Sequence, residues 1–119
     1  MHYPYHRTLP IFNAHTFRVL LDANHLSNLT QLYYELSTRF HFPDYFNSNL
    51  DSLFDCLCDL SQLPDKFTKA ALVIYHSENF LSDETDEHRK AVYQVLEQIQ
   101  DPENRYDHLQ FEVYLLRDS

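Results

Sequence analysis

The sequence predicts a small α/β protein in which a parallel sheet of three strands packs against three to four helices. Three short segments with the apolar character of strands alternate with longer segments whose apolar residues recur at helical spacing. No tight hairpin signal joins the strands, so helical crossovers must connect them, and such connections favour parallel pairing. We expect residues 1–16 to form an irregular N-terminal arm and residues 17–119 to form a single domain with one hydrophobic core.

The first strand and the first helix follow the arm. Residues 17–21 are apolar apart from Arg18 and predict a strand. Ser27 or Asn28 can cap a helix that follows, because a side-chain oxygen at the cap accepts a free backbone N–H. Pro43 marks the expected end of this helix, since the residue before a proline disfavours helical geometry.

The second helix is predicted to begin in the segment from Ser48 to Asp51, which has the form of a capping box with aspartate in place of the usual glutamate. This helix should run to about Leu60. Residues 70–75 are then apolar without interruption, which is typical of a central strand covered on both faces.

The third helix is predicted from about Asp83 to Gln100, with its apolar residues on one side and Pro102 after its end. Residues 111–116 form the last predicted strand. At least one helix therefore separates each strand from the next, which completes the α/β order.

The composition excludes several classes of function. A formal net charge of −9 argues against nucleic acid and anionic membranes as partners and favours a basic protein. The chain contains no glycine, so it lacks the glycine-rich loops that hold phosphates in nucleotide-dependent enzymes. No apolar run could span a bilayer, and the two cysteines, Cys56 and Cys58, should point to different faces of a helix rather than pair. We therefore expect a cytoplasmic protein without a cofactor.

The second predicted helix has one acidic side. In a helical projection of residues 50–60, Asp51, Asp55 and Asp59 fall together, opposite the leucines of the segment. No Lys or Arg occurs between residues 39 and 66 to neutralise them. This pattern is compatible with a binding surface and also with the ordinary solvated face of a helix.

Phe54 and Cys58 lie on the flank between the acidic side and the apolar side of this projection. An aromatic ring and a thiol are therefore expected to be partly exposed next to the carboxylates. Cys56 falls on the apolar side and is expected to pack in the core as a small hydrophobic residue.

Residues 42–57 read Phe-Pro-Asp-Tyr-Phe-Asn-Ser-Asn-Leu-Asp-Ser-Leu-Phe-Asp-Cys-Leu. This segment resembles the signature of the barstar family of bacterial ribonuclease inhibitors. The similarity extends back through the first helix to about Leu26 and, more loosely, forward through the later elements, so that it covers residues 17–116. It implies a barstar-like fold with a three-stranded parallel sheet, in agreement with the order of elements predicted above.

The resemblance implies a protein inhibitor of a ribonuclease. In barstar, the second helix and the loop before it block the active site of the ribonuclease barnase. Residue by residue, Asp55 corresponds to the aspartate that occupies the substrate phosphate position and Asp51 to a second contacting aspartate. Tyr45 corresponds to the loop tyrosine that covers the catalytic histidine, and Phe54 to an interface tryptophan. The expected partner-binding residues are Tyr45, Asn47, Asn49, Asp51, Phe54, Asp55, Cys58 and Asp59.

The sequence departs from the family pattern at several of these positions. Asn47 replaces a loop glycine, and Cys58 and Asp59 replace small residues. The acidic contact on the last helix falls at Gln98, next to Glu97, which leaves open which of the two joins the interface. The implied target is a barnase-like ribonuclease or a toxin ribonuclease. The alternative is an acidic module of the same fold that binds another basic protein, such as a DNase toxin or a regulatory partner.

An enzyme is not expected. Asp51 and Asp55 could serve as an acid and a base only if their environments differed, and both lie on the same wet face of the predicted helix. A metal site is not expected either, because the eight histidines are scattered without the paired spacing of metal ligands.

Overall fold

A computed structural model describes residues 5–6 and 9–117 of the chain. Within that part it has an α/β fold with a parallel sheet and three α-helices, as the sequence predicts. The strands are β1 (Tyr5–His6), β2 (Thr16–Asp22), β3 (Lys69–Tyr75) and β4 (Gln110–Leu116), and the helices are α1 (Leu29–Arg39), α2 (Leu50–Cys58) and α3 (Asp86–Gln98). No helix among the described residues is both long enough and apolar enough to cross a membrane.

Strand β3 lies at the centre of the sheet. The strand order is β1-β4-β3-β2, neighbouring strands run parallel, and Ala70 pairs with Phe17 on one side and with Phe111 on the other. Successive side chains of a strand point to opposite faces. Ala71 and Val73 point away from the face of Ala70 and are also fully buried, which confirms the prediction of a strand covered on both faces.

The three helices pack on one face of the sheet and share a single hydrophobic core with it. Each helix contributes residues three or four positions apart, which lie on one side of a helix. Examples are Leu36 of α1, Leu53 and Leu57 of α2, and Val92 and Leu96 of α3, all of them fully buried. Burying one such side chain stabilises a fold by about 1.5–3 kcal/mol relative to leaving it in water. The apolar side of α2 is therefore fixed to the core, and its other side is turned outward.

Polar side chains determine where the helices begin. Asn28 caps α1, one of the two predicted possibilities. The cap of α2 is Asn49 rather than Ser48, so this helix begins one residue later than the capping-box pattern indicates. Thr85 caps α3, which therefore begins three residues after the predicted start at about Asp83. Each of these caps accepts a backbone N–H that the helix leaves free.

A residue with left-handed backbone geometry follows the end of helix α1. His41 has φ of 56°, a conformation that glycine usually adopts because it has no Cβ. The Phe42 N–H donates to the carbonyl of Ser37 at 2.9 Å, and the His41 N–H donates to the carbonyl of Thr38 at 3.4 Å. This Schellman arrangement satisfies the last carbonyls of α1 and turns the chain towards the segment before α2.

Two residues of the N-terminal arm form a strand that the sequence did not predict. Strand β1 pairs in parallel with the end of β4. The prediction of an irregular arm is wrong there. The sequence gives no signal of this strand, because two residues are too few to show a periodic pattern and the strand is defined by its pairing with β4. Thr16, also predicted as arm, belongs to β2. The Phe12 ring lies 5.7 Å from that of Tyr114, and the parts of the arm at residues 1–4 and 7–8 lie outside the described residues.

Candidate protein-binding site

The N-terminal end of α2 is held by two side-chain hydrogen bonds. Oδ1 of Asn49 accepts the N–H of Ser52 at 2.8 Å, and Oγ of Ser52 accepts the N–H of Asn47 at 3.0 Å. Together these bonds fix the loop before the helix to its first turn. Asp51 lies in that first turn, where the positive end of the helix dipole favours a carboxylate.

The sides of α2 differ as the helical projection predicts. Leu53, Cys56 and Leu57 are buried in the core, which also confirms the expectation for Cys56. Asp51 and Asp55 are exposed. The stiff helix therefore presents two carboxylates to solvent, one turn apart.

No basic side chain among the described residues neutralises Asp51 or Asp55. The ion pairs formed in that part of the chain join other residues, and neither aspartate accepts a hydrogen bond from a described neighbour. Two like charges at this spacing destabilise a helix by about 0.2–0.5 kcal/mol. The carboxylates thus keep their full hydrogen-bonding capacity for an external partner.

The carboxylates border a notch of about 420 Å³ between α2 and α3. Its lining residues are Leu50, Asp51, Phe54, Asp55, Val95 and Gln98. The apolar members form one part of the wall, and Phe54 is half-buried there, as predicted. Such a notch fits a long cationic side chain, because the stem can pack against apolar groups while the charged end meets the carboxylates.

Gln98 and Glu97 differ in their position relative to the notch. Gln98 lines the notch next to both aspartates of α2, whereas Glu97 is exposed and is not part of its lining. A neutral amide therefore lies on the α3 side of the notch, where it can both donate and accept hydrogen bonds.

The loop before α2 carries an exposed aromatic side chain on an anchored backbone. Tyr45 is 69% exposed. The adjacent Phe46 ring lies 5.1 Å from Phe42 and 6.1 Å from Tyr33, in edge-to-face contacts that hold the loop against α1. Asn47 is exposed on the same loop. The backbone near Tyr45 is thus restrained while its own ring faces water.

The C-terminal end of α2 differs from the prediction. The helix ends at Cys58 rather than about Leu60, and Asp59 has extended backbone geometry with φ of −134°. Asp59 is half-buried, and its carboxylate accepts hydrogen bonds from the backbone N–H and the hydroxyl of Ser61. The expectation that Asp59 continues the acidic side of the helix is therefore wrong.

The prediction of a partly exposed thiol at Cys58 is also wrong. The Cys58 side chain is fully buried, and its carbonyl accepts the N–H of Tyr106 at 3.0 Å, so the segment after α3 covers this end of α2. The pKa of Cys58 is raised to about 11, mainly by burial; the positive charge of Arg105 opposes this rise, and the negative charges of Asp107 and Asp55 contribute to it. A partner cannot reach this thiol in the folded protein.

A buried ion pair holds the covering segment in place. The guanidinium of Arg105 donates to both carboxylate oxygens of Asp107 at 2.9 and 2.6 Å, and these side chains are 2% and 0% exposed. Asp107 also accepts the N–H of Leu60 at 2.8 Å, and Arg105 donates to the carbonyl of Ile99 at 2.8 Å. This pair is not predicted from the sequence, because two polar residues in a loop carry no periodic signal of burial.

A comparison with sequence models of known families adds an independent observation. The model described as "Barstar (barnase inhibitor)" matches residues 16–115. The chain belongs to the barstar family. The matched span contains α2, the loop before it, the notch and the segment that covers the end of α2.

The name of one curated relative refers to ribonuclease inhibition. It is a protein of Bacillus subtilis (strain 168) called "Putative ribonuclease inhibitor YrdF", and it is 29% identical to this chain over 84 residues. The alignment covers 71% of this chain and 90% of the relative. The family match leaves out the first 15 residues, which include the unpredicted strand β1 of this barstar-family protein.

Proposed function

We propose that this barstar-family protein inhibits a barnase-like or toxin ribonuclease by covering its basic active site with the acidic side of α2 and the loop before it. The observation that carries the proposal is the pair of exposed carboxylates, Asp51 and Asp55, on a helix whose other side is fixed in the core. The family match and the name of the Bacillus subtilis relative support the same class of activity.

The physical basis is the chemistry of a ribonuclease site. Such a site concentrates cationic groups that stabilise the charge of a reacting phosphate. A carboxylate held on a rigid helix accepts the same charge-assisted hydrogen bonds and loses little conformational entropy when it binds. The net charge of −9 also attracts a basic enzyme and accelerates its encounter with the inhibitor.

Each proposed contact has a distinct role. Asp55 occupies the position of a substrate phosphate, and Asp51 binds a second cationic group. Tyr45 covers the catalytic residue of the nuclease from the loop, and Phe54 packs at the wall of the notch. Asn47 contributes its exposed amide. We further propose that residues 17–119 form the inhibitory domain and that the protein acts in the cytoplasm, as an immunity protein or an antitoxin.

The structure limits how Asn49 and Asp59 can contact the partner. Oδ1 of Asn49 is occupied by the helix cap, so its amide N–H₂ is the group left to meet the partner. Asp59 lies beyond the end of the helix, so its side chain contacts the partner from outside the acidic side of α2. Cys58 is not included among the proposed contacts, because its side chain is buried.

The test is inhibition of RNA cleavage by barnase, the enzyme that the family description names. Wild-type protein should abolish cleavage at a stoichiometric ratio. Asp55→Ala should weaken binding by about 3–5 kcal/mol, roughly 10² to 10⁴-fold, because the cationic groups of the enzyme lose their charged partner. Its folding should not change, since Asp55 is exposed and makes no ion pair with a described residue.

Asp86→Ala is the matched control. It removes the same charge from an aspartate whose side chain is 91% exposed at the start of α3, nine residues, or about 13 Å, from Val95 of the notch. It should leave inhibition nearly unchanged. If Asp55→Ala and Asp86→Ala inhibit equally well, the proposed contact surface is wrong. If the wild-type protein inhibits no ribonuclease but binds a DNase toxin, the alternative of a binding module for another basic protein is favoured.

A further inference from the structure

Tyr106 is an exposed aromatic residue in a segment that is otherwise tightly held. Its side chain is 79% exposed, whereas the side chains of its neighbours Arg105 and Asp107 are 2% and 0% exposed. A single exposed ring is ordinary on a protein surface. Because its two neighbours are buried charged residues, the backbone of Tyr106 is held in place, and this sets Tyr106 apart.

Hydrogen bonds tie the backbone around Tyr106 to the end of α2. The Tyr106 N–H donates to the carbonyl of Cys58, the last residue of the helix, at 3.0 Å. Immediately beyond the helix, the Leu60 N–H donates to the carboxylate of Asp107 at 2.8 Å. The position of Tyr106 relative to the acidic helix is thus fixed from two sides.

The same segment is anchored to α3 and to the sheet. The side-chain amide of Asn104 donates to the carbonyl of Gln98 at 2.9 Å, and Arg105 donates to the carbonyl of Ile99 at 2.8 Å. The guanidinium of Arg105 also lies 5.2 Å from the centre of the Phe111 ring. Because the segment is already ordered, a partner that contacts Tyr106 needs to restrict only the side chain.

The backbone of Tyr106 lies at the C-terminal end of α2, whereas the loop of Tyr45 precedes the N-terminal end of that helix. The segment leaves α3 at Gln98, which lines the notch, and reaches α2 at Cys58. Cys58 is three residues beyond Asp55, which is a rise of about 4.5 Å along the helix. A protein interface of ordinary size covers about 800 Å² of each partner, a patch roughly 30 Å across. A partner centred on Asp55 therefore covers an area wide enough to include Tyr106.

We infer that Tyr106 is a partner-contacting residue that helps to select the nuclease, its ring receiving a cationic side chain at the edge of the enzyme's active site. This inference rests on the proposed function of α2. An Arg or Lys over an aromatic face is attracted by the negative charge of the ring, and the acidic surroundings of α2 add to that attraction. Because Tyr45 and Tyr106 stand at opposite ends of α2, contact with both requires one orientation of the enzyme.

The experiment compares the wild-type protein, three tyrosine variants and Asp55→Ala by titration calorimetry, with catalytically inactive barnase as the probe. Tyr106→Ala should weaken binding by about 5- to 30-fold. Tyr106→Phe keeps the ring and should bind within about twofold of the wild-type protein. Tyr34→Ala removes another exposed tyrosine, 67% exposed on α1, and should bind like the wild-type protein. Urea unfolding should be the same for all three, because Tyr106 contributes its backbone N–H, not its ring, to the fold.

The outcomes separate this inference from the proposed function. If Asp55→Ala weakens binding but Tyr106→Ala does not, the role of Tyr106 is overturned and the proposed function stands. If Asp55→Ala has no effect, or the wild-type protein does not bind barnase, the assignment of the site to a barnase-like target fails and the inference fails with it. A loss of affinity in Tyr106→Ala that is matched by a loss of stability would assign the ring a structural role and also overturn the inference.

Discussion

Replacing Asp107 with alanine should strongly destabilise the fold, because it leaves a positive charge buried without a partner. Asp107 forms two hydrogen bonds with the guanidinium of Arg105 and accepts the backbone N–H groups of Leu60 and Leu109 at 2.8 and 3.1 Å. Breaking one side of a buried ion pair costs about 3–5 kcal/mol. Two backbone donors that lose their acceptor add roughly 1 kcal/mol or more each.

The expected loss is therefore at least about 5 kcal/mol, out of a total stability of about 6–18 kcal/mol for 119 residues. Urea unfolding measures it directly. With a slope of about 1.5 kcal/mol per M, the midpoint of Asp107→Ala should fall by roughly 3 M or more. The control is Asp86→Ala, which breaks an exposed pair with Arg89 and should cost less than about 1 kcal/mol.

A second variant tests the cause of the loss. Replacing both members, as Arg105→Met with Asp107→Leu, removes the isolated charge and should recover part of the stability that Asp107→Ala loses. If the midpoint of Asp107→Ala falls no further than that of Asp86→Ala, the pair does not hold the segment after α3. If the double variant is the less stable of the two, an unpaired charge is not the cause.

Two other predictions concern the turn after α1 and the cysteines. His41→Gly should raise the free energy of unfolding by about 1 kcal/mol, because glycine adopts φ of 56° without strain, and an unchanged or lower urea midpoint would contradict this. Burial raises the pKa of Cys58 to about 11 and also raises the pKa of Cys56, so both thiols stay protonated at pH 8. The folded protein at pH 8 should therefore not react with Ellman's reagent, whereas both thiols should react in urea, and rapid reaction of the folded protein would refute the buried position.

The sequence predicts strands β3 and β4 well, because residues 70–75 of β3 are an unbroken run of apolar residues and β4 is largely apolar. Strands β3 and β4 each begin one residue before the predicted start and end where predicted. The beginnings of helices are harder to predict, since several neighbouring side chains can cap. Asn49 rather than Ser48 caps α2, and the choice depends on Ser52, which accepts the N–H of Asn47 from within the first turn.

The end of α2 could not be predicted from its own sequence. In isolation, Asp59 and Leu60 continue the helical pattern. In the fold, Tyr106 donates to the last helical carbonyl and Asp107 accepts the N–H of Leu60, so a distant segment replaces the next helical turn. Because this segment packs over the end of α2, Cys58 is buried. A helical projection alone places Cys58 on the flank of the helix. Asp51 and Asp55 precede this point, and their exposure follows the projection.

The closure of α2 by a remote segment has a consequence for the synthesis of the protein. The hydrogen bond from Leu60 to Asp107 spans 47 residues. At 5–20 residues per second, a ribosome needs about 2–9 s to translate that interval. A nascent chain therefore contains every residue of α2 for several seconds before the segment that closes the helix has been made, and a message truncated before the codon of Tyr106 would encode the helix without that segment.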